Sequence, residues 1–216
     1  MSDCCTPKGY RTIFSEKSAQ SEAKRYRSKG LDKVSRRIVD LVKERGVKGR
    51  TVLEVGGGIG AIEIELLKAG ATRATNVELT PTYEEAAGEL LREAGLLDRV
   101  DRRVGDFVEV DPDAADLVIL NRVVCCYPDM PRLVAAAAEH ARSTLILTFP
   151  NDRWSTRLGL ALVNLGFRVF RVQFQVFLHR PDRILAAGEE HGLRTQLNHR
   201  GLVWQTAALE RARQPL

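Results

Sequence analysis

No apolar run in these 216 residues reaches the length of about 20 that a membrane-crossing helix needs. The opening Met1-Ser-Asp-Cys-Cys has none of the charged, apolar and small-residue order of a secretory leader, so the expectation is a cytoplasmic protein without a membrane span. Cysteine is scarce, and its four residues fall in two adjacent pairs, Cys4-Cys5 and Cys125-Cys126. That spacing is not a secreted disulfide framework. Adjacent side chains also diverge and chelate poorly beside a C-x-x-C pair, so no metal site is expected. Aromatic residues make up 6% of the chain. Only Phe14 and Tyr26 are interleaved with the basic residues Lys17, Lys24, Arg25, Arg27, Lys29, Lys33, Arg36 and Arg37, which disfavours nucleic acid as the partner. No internal repeat and no linker composition is present.

What remains is an ordinary globular composition, 44% hydrophobic and 28% charged, with a net charge of +5 concentrated near the N-terminus. The length suits one α/β domain. Residues 1–30 are polar and basic without a strong period and read as an arm or lid, suited to a small anionic substrate; residues 31–216 read as a single domain. Leu31, Val34, Ile38, Leu41 and Val42 mark a helical face. Strands are expected at 51–55, 74–79, 99–104, 116–121 and 143–149, with helices at 60–69, 82–94, 130–140 and 151–166 between or after them. Val172, Phe174, Val176 and Leu178 alternate as a strand would over 169–178. A helix opened by Pro181 follows, then two closing strands at 195–198 and 202–209. This order predicts an open, Rossmann-like, mostly parallel seven-stranded sheet with helices on both faces and an antiparallel C-terminal strand pair.

The densest chemical signal is Thr51-Val-Leu-Glu-Val-Gly-Gly-Gly-Ile-Gly60, an apolar strand that breaks into glycines just before an amphipathic helix. Such a turn places free helix N–H groups beside a ligand at the carboxyl edge of a parallel strand. Two cofactor classes fit. Gly56, Gly58 and Ala61 satisfy the dinucleotide spacing G-x-G-x-x-G/A. Glu54, Gly56, Gly58 and Gly60 instead resemble motif I of the class I S-adenosylmethionine methyltransferases. Glu54 favours the second class: a carboxylate there suits a ligand with a cationic end and repels a pyrophosphate.

Glu78 at the end of the second strand, Gly105-Asp106-Phe107 after the third and Asp116 to Asn121 as the fourth follow the order of that family, and the resemblance covers about residues 31–210. It implies S-adenosylmethionine as cofactor. The backbone around Gly56, Gly57, Gly58 and Gly60 would approach its methionine and ribose, and Glu54 would hold its ammonium. Glu78 would accept both ribose hydroxyls, Leu79 and Phe107 would line the adenine, and Asp106 would accept from the adenine amino group. Asn121 would close the cofactor set. Asn121-Arg-Val-Val-Cys-Cys-Tyr-Pro-Asp-Met130 further resembles the magnesium-protoporphyrin methyltransferase-like branch of bacterial enzymes with unassigned substrates. It departs from the porphyrin enzymes at Cys126, where they carry histidine, so the neighbourhood carries over and the porphyrin activity does not.

Residues after the fourth strand face the transferred methyl, which makes Cys126 and Tyr127 candidates for the reaction zone. Cys125, Trp154 and the arm residue Tyr26 are substrate-contact candidates. The implied reaction is methyl transfer to an O, N or S atom of a small molecule. Three alternatives stay open: a nicotinamide-dependent oxidoreductase on a similar sheet, although no Tyr-x-x-x-Lys acid is present; a non-catalytic cofactor-binding scaffold; and RNA or protein methylation through the basic arm. The acceptor atom, the general base and the oligomeric state are not written in the sequence.

Overall fold

The computed structural model describes residues 7–212. Two helices, α1 (Pro7–Ile13) and α2 (Glu16–Lys29), precede α3 (Lys33–Glu44). Then come β1 (Thr51–Val55), α4 (Ala61–Lys68), β2 (Arg73–Glu78), α5 (Glu84–Glu93), β3 (Val100–Val104), α6 (Phe107–Val110) and β4 (Ala115–Asn121). The chain ends with α7 (Met130–His140), β5 (Ala141–Pro150), α8 (Trp154–Val169), α9 (Pro181–Glu189), β6 (Leu193–Arg200) and β7 (Trp204–Arg211). The seven strands form one sheet in the order β3-β2-β1-β4-β5-β7-β6. The first five are parallel, and β7 runs antiparallel between β5 and β6. The architecture expected from the sequence is therefore the one observed.

Alternation along the buried strands divides the core into two layers. Val52, Leu117 and Ile119 face the side covered by α3, α4 and α5. Leu53, Val55, Val118 and Leu120 face the side covered by α6, α7 and α9. The chain works outward from β1 to β3, then returns to β4 on the other side of β1. That reversal opens a crevice at the carboxyl ends of β1 and β4, the place where open α/β sheets take their ligands.

Two elements differ from their sequence readings. Much of the arm is helical: Ser15 caps α2 by accepting from the Ser18 N–H, and Ala19 and Ala23 are buried against the core. Its packing face is built from small alanines, too weak a hydrophobic signal to show as a period. The stretch expected as a strand at 169–178 pairs with no strand. α8 runs on to Val169, and Asn164 then captures the backbone of Val176 twice, accepting from its N–H (2.9 Å) and donating to its carbonyl (2.8 Å). The Phe177 N–H donates to the Cys125 carbonyl, so the alternating side chains belong to a strap laid across the post-β4 turn.

The glycine turn after β1 is held from beneath by buried charge. Glu54 and Glu63 are both fully buried, and the Glu63 N–H donates to the Glu54 carboxylate at 3.0 Å. Asn76 donates to Glu63 at 2.9 Å. Arg102, on β3, reaches under the turn, donating to the Gly58 carbonyl (2.9 Å) and to Glu84 (2.8 Å), with Glu63 at 3.5 Å. Burial and the neighbouring Glu63 charge hold Glu54 well above the usual carboxylate range. Burial likewise pushes Glu63 up to about 7, against the pull of Arg102.

Two predictions follow from this packing. Ile119→Ala, in the central strand, should cost about 2–5 kcal/mol of stability by the cavity it leaves, read from urea unfolding; a loss under about 1 kcal/mol would mean that the two layers do not close on β4 as described. The raised carboxyls keep protons that the unfolded chain releases near 4.5. Their contribution is thus fully present at acid pH and declines as pH rises towards about 7. Glu63→Gln removes that titration, so the variant should gain on the wild type in melting temperature between acidic and mildly alkaline buffer. A constant difference between the two proteins across that range would contradict the buried, protonated pair.

Candidate functional site

The crevice at the carboxyl ends of β1, β2 and β4 is a cleft of about 1000 Å³, open mouth included. On its floor the glycine turn meets β2. The Gly58 N–H donates to the Glu78 carboxylate at 2.9 Å, and the Leu79 N–H donates to its other oxygen at 3.1 Å. Gly58 takes φ +58°, a conformation that favours glycine. Gly57 is small for another reason: a Cβ there would lie 2.3 Å from the Asn76 amide and 2.9 Å from Glu54. The sequence suggests glycines that make room for a ligand, whereas at Gly57 the space is already taken by the buried polar cluster below.

Most of the expected cofactor residues converge here. Gly56, Gly57, Gly58, Glu78, Leu79, Asp106, Phe107 and Asn121 all line the cleft. Gly60 instead forms the start of α4, and Glu54 faces a second, smaller lobe. The two lobes share Glu22, Gly57, Asn121 and Arg122, so they adjoin over the turn. Asn121 is fixed between its neighbours, accepting from Thr148 (2.8 Å) and donating to Ser35 (3.1 Å). Burial pushes Glu78 above its ordinary value, against the two backbone N–H groups that favour its charge.

The reaction-zone candidates separate. Cys126 lines the cleft, while Cys125 is buried behind it with the two sulfurs 3.8 Å apart. The Cys126 thiol hydrogen bond and the nearby Arg122 charge lower the Cys125 thiol against the effect of burial. The Tyr127 hydroxyl donates to Asp106 at 2.9 Å, which puts it on the β3 side of the cleft. Tyr26 lines only the smaller lobe, with its hydroxyl donating to Glu65 at 2.6 Å. Trp154 lines neither lobe: it is 78% exposed, because the buried side of α8 is set by Thr156, two residues on and on the opposite side of the helix. Cys4 and Cys5 lie outside the described residues.

Several lining residues carried no sequence signal. Tyr10 and Phe14 come from the arm, one helical turn apart, and form the aromatic wall of the main lobe; the Tyr10 hydroxyl donates to the Cys126 carbonyl. Glu22 projects between the lobes, accepts from the Tyr83 hydroxyl at 3.3 Å, and is raised by burial. Arg122 sits at φ +64°, a strained conformation of the kind often found at functional sites. It holds Asp32 at 2.7 Å and lies over the Trp204 ring. Burial raises Asp32, but the Arg122 charge and its hydrogen bond bring it below the usual range. The Arg122 Nε is buried without a hydrogen-bond partner. Of the eight basic arm and α3 residues named from the sequence, only Arg25 lines either lobe.

Charge decides what such a site can hold. Glu54, Glu63 and Glu78 converge beneath and beside the glycine turn, and Arg102 is the guanidinium set among them. The smaller lobe is lined by Glu22, Asp32 and Glu54 together with Arg25 and Arg122, a mixture of both signs suited to a zwitterion.

Known proteins place the fold. A family model described as a methyltransferase domain matches residues 23–202. Among curated proteins, the chain is 39% identical over 110 residues to a mitomycin biosynthesis 6-O-methyltransferase of Streptomyces lavendulae, covering 48% of this chain and 31% of that one. It is 41% identical over 81 residues to an aclacinomycin 10-hydroxylase of Streptomyces purpurascens, covering 37% of this chain and 21% of that one. The matches thus span about a third or less of these relatives' length. Among solved structures, magnesium protoporphyrin IX methyltransferase from Synechocystis PCC 6803 with bound S-adenosylhomocysteine superposes with a TM-score of 0.70 at 17% identity, over 94% of this chain and all of that one. The sheet order, the reversed β7 and the span of the family match agree: this chain has the class I methyltransferase fold and belongs to the methyltransferase-domain family.

Proposed function

We propose that the chain binds S-adenosylmethionine across the two adjoining lobes and transfers its methyl group to an O, N or S atom of a small molecule. The observation that carries this reading is the excess of buried carboxylate under the glycine turn, which a cationic ligand neutralises. When bound, the cofactor supplies a methyl made electrophilic by its sulfonium. The residues of the chain bind, orient and shield. Glu78 keeps lone pairs on both carboxylate oxygens for a ribose diol. Leu79 and Phe107 offer apolar surface to the adenine, and Asp106, oriented by the Val108 N–H and the Tyr127 hydroxyl, faces its amino edge. Glu54 faces the ammonium across the smaller lobe, and Arg122 and Arg25 are placed for the carboxylate.

The acceptor would then lie in the main lobe against Tyr10, Phe14 and Cys126, which favours an acceptor with a flat apolar body. The arm, residues 1–30, serves as the lid of a single domain spanning 31–216. Glu78 and Asp106 being assigned to the cofactor, Glu22 is the remaining carboxylate that lines that lobe, and its raised proton affinity suits it to take a proton from a hydroxyl acceptor. The related methyltransferase named for mitomycin 6-O-methylation supports a small molecule over a macromolecule. The modest share of that relative covered leaves the acceptor itself to experiment.

Two measurements test the cofactor. S-adenosylhomocysteine should raise the melting temperature and NAD should not; Glu78→Ala should weaken calorimetric affinity about 10–100-fold, the scale of lost hydrogen bonds to an ionised acceptor. Stabilisation by NAD alone, or unchanged affinity in the variant, would reject the reading. An ammonium ligand also favours the ionised form of Glu54, so binding should release a proton. Affinity for S-adenosylhomocysteine should therefore rise with pH above the ordinary carboxylate range, by up to about tenfold per unit. Glu54→Gln should flatten that slope. A wild-type affinity independent of pH would separate Glu54 from the ammonium.

A further inference from the structure

One helix of the fold has two apolar sides. The inner side of α8, built from Thr156, Leu160, Asn164 and Phe167, is turned towards the protein, yet among the described residues α8 contributes nothing to either core layer. Its outer side carries Trp154, Leu158, Leu162, Leu165 and Val169. The spacing i, i+4, i+8, i+11, i+15 sets all five on one narrow stripe, and all five are exposed. Phe170 (81% exposed) follows directly after the helix as its C-cap. At the other end lies the β6–β7 loop with Leu202 (84% exposed), tied to the start of α8 because Asn151 donates to the Gly201 and Leu202 carbonyls. Scattered exposed leucines need no explanation; a contiguous row of this kind marks a docking surface.

The charge around the stripe selects the occupant. Residues 151–180 contain five arginines and one acid, Asp152. Arg153, Arg157, Arg168 and Arg171 are exposed on or beside α8, and Asp152 is already engaged by Arg157 at 2.7 Å. A second copy docked face to face would set these arginines near their own counterparts with no free acid between them. A planar anionic surface meets both features at once: apolar side chains enter the acyl boundary while arginines remain at the headgroups. With 16 residues, α8 is about 24 Å long, too short to cross a bilayer but suited to lying in its interface. We propose that the outer face of α8, with Leu202 beside it, docks this protein on anionic lipid bilayers.

The placement has a structural consequence. From the end of α8 the chain enters the strap that carries Phe174, which packs edge-on against Phe167, Tyr10 and Phe14. Tyr10 and Phe14 are the aromatic wall of the cleft, so the docking face and the cleft share one hydrophobic cluster.

The test is co-sedimentation of the full chain with vesicles of phosphatidylcholine alone, or with phosphatidylglycerol as one part in three. Partition onto the anionic vesicles should be at least about tenfold stronger, given the attraction of clustered arginines to anionic headgroups. Leu158→Glu with Leu162→Glu should lower it about tenfold or more while leaving the melting temperature and S-adenosylhomocysteine affinity unchanged. Arg168→Gln with Arg171→Gln should reduce the preference for phosphatidylglycerol and its salt sensitivity several-fold. The proposal is overturned if the wild type stays in the supernatant with both vesicle types, or if the double glutamate variant binds as the wild type does. It is also overturned if sedimentation velocity shows a dimer that the glutamates dissolve and lipid does not displace.

Discussion

The site depends on an electrostatic mismatch set under one turn. Glu54 near the end of β1 and Glu63 at the start of α4 lie fully buried, Glu78 lines the cleft at the end of β2, and a guanidinium from β3 is set among them. In isolation such a cluster is unfavourable, since buried charge of one sign costs several kcal/mol per unpaired ion. The fold tolerates it in two ways. Burial raises the proton affinity of Glu54 and Glu63, which lessens the charge they hold, and the donors that meet the acids are local: the Glu63 and Gly58 N–H groups, the Asn76 amide and Arg102. The same donors that satisfy the acids hold the turn. Arg102 clasps the Gly58 carbonyl while Glu78 takes the Gly58 N–H, so the backbone is gripped from both sides. The turn's rigidity and its affinity for a cation therefore share one physical origin.

That coupling explains which parts of the site were legible in the sequence. β1, its glycines and the acids closing β1 and β2 could be read because their roles follow from local order: an apolar strand, a break, a carboxylate at each strand end. The parallel sheet was legible because strands buried on both faces are continuous apolar runs such as Leu117 to Leu120. Arg102 was not, because its importance comes from reaching a turn 44 residues earlier, and nothing around it differs from a solvated strand residue. Glu22, Tyr10 and Phe14 were missed for a related reason. The arm packs through Ala19 and Ala23, so its period is faint, and without the helix there is no way to see which side chains it aims at the cleft. The strap at 172–178 was misread because alternation marks a strand only when a neighbour supplies a ladder, and here an asparagine side chain takes the backbone bonds instead.

Sheet and cleft also differ in what they determine. One side of the cleft rests on main-chain positions and acids at strand ends, which the fold itself supplies. The other side is lined from the arm and the post-β4 turn, neither of which belongs to the sheet. A related stretch of this fold occurs in a protein named as a hydroxylase and another in a protein named as an O-methyltransferase. Chemistry on this scaffold is accordingly decided by what faces the bound cofactor. In this chain the main lobe has an aromatic and thiol-lined wall, with the carboxylates of Glu22, Glu78 and Asp106 also lining it.

The wall is also where separate elements meet. Tyr10 and Phe14 come from the N-terminal arm, Phe174 from the strap and Phe167 from α8, joined by ring contacts of 5.3–5.8 Å. The Tyr10 hydroxyl and the Phe177 N–H both end on carbonyls of the Cys125-Cys126 turn, so arm and strap are latched to the same two peptide units. Arm, strap and the inner side of α8 therefore bound that side of the cleft as one packed unit, joined by the rings and by both latches.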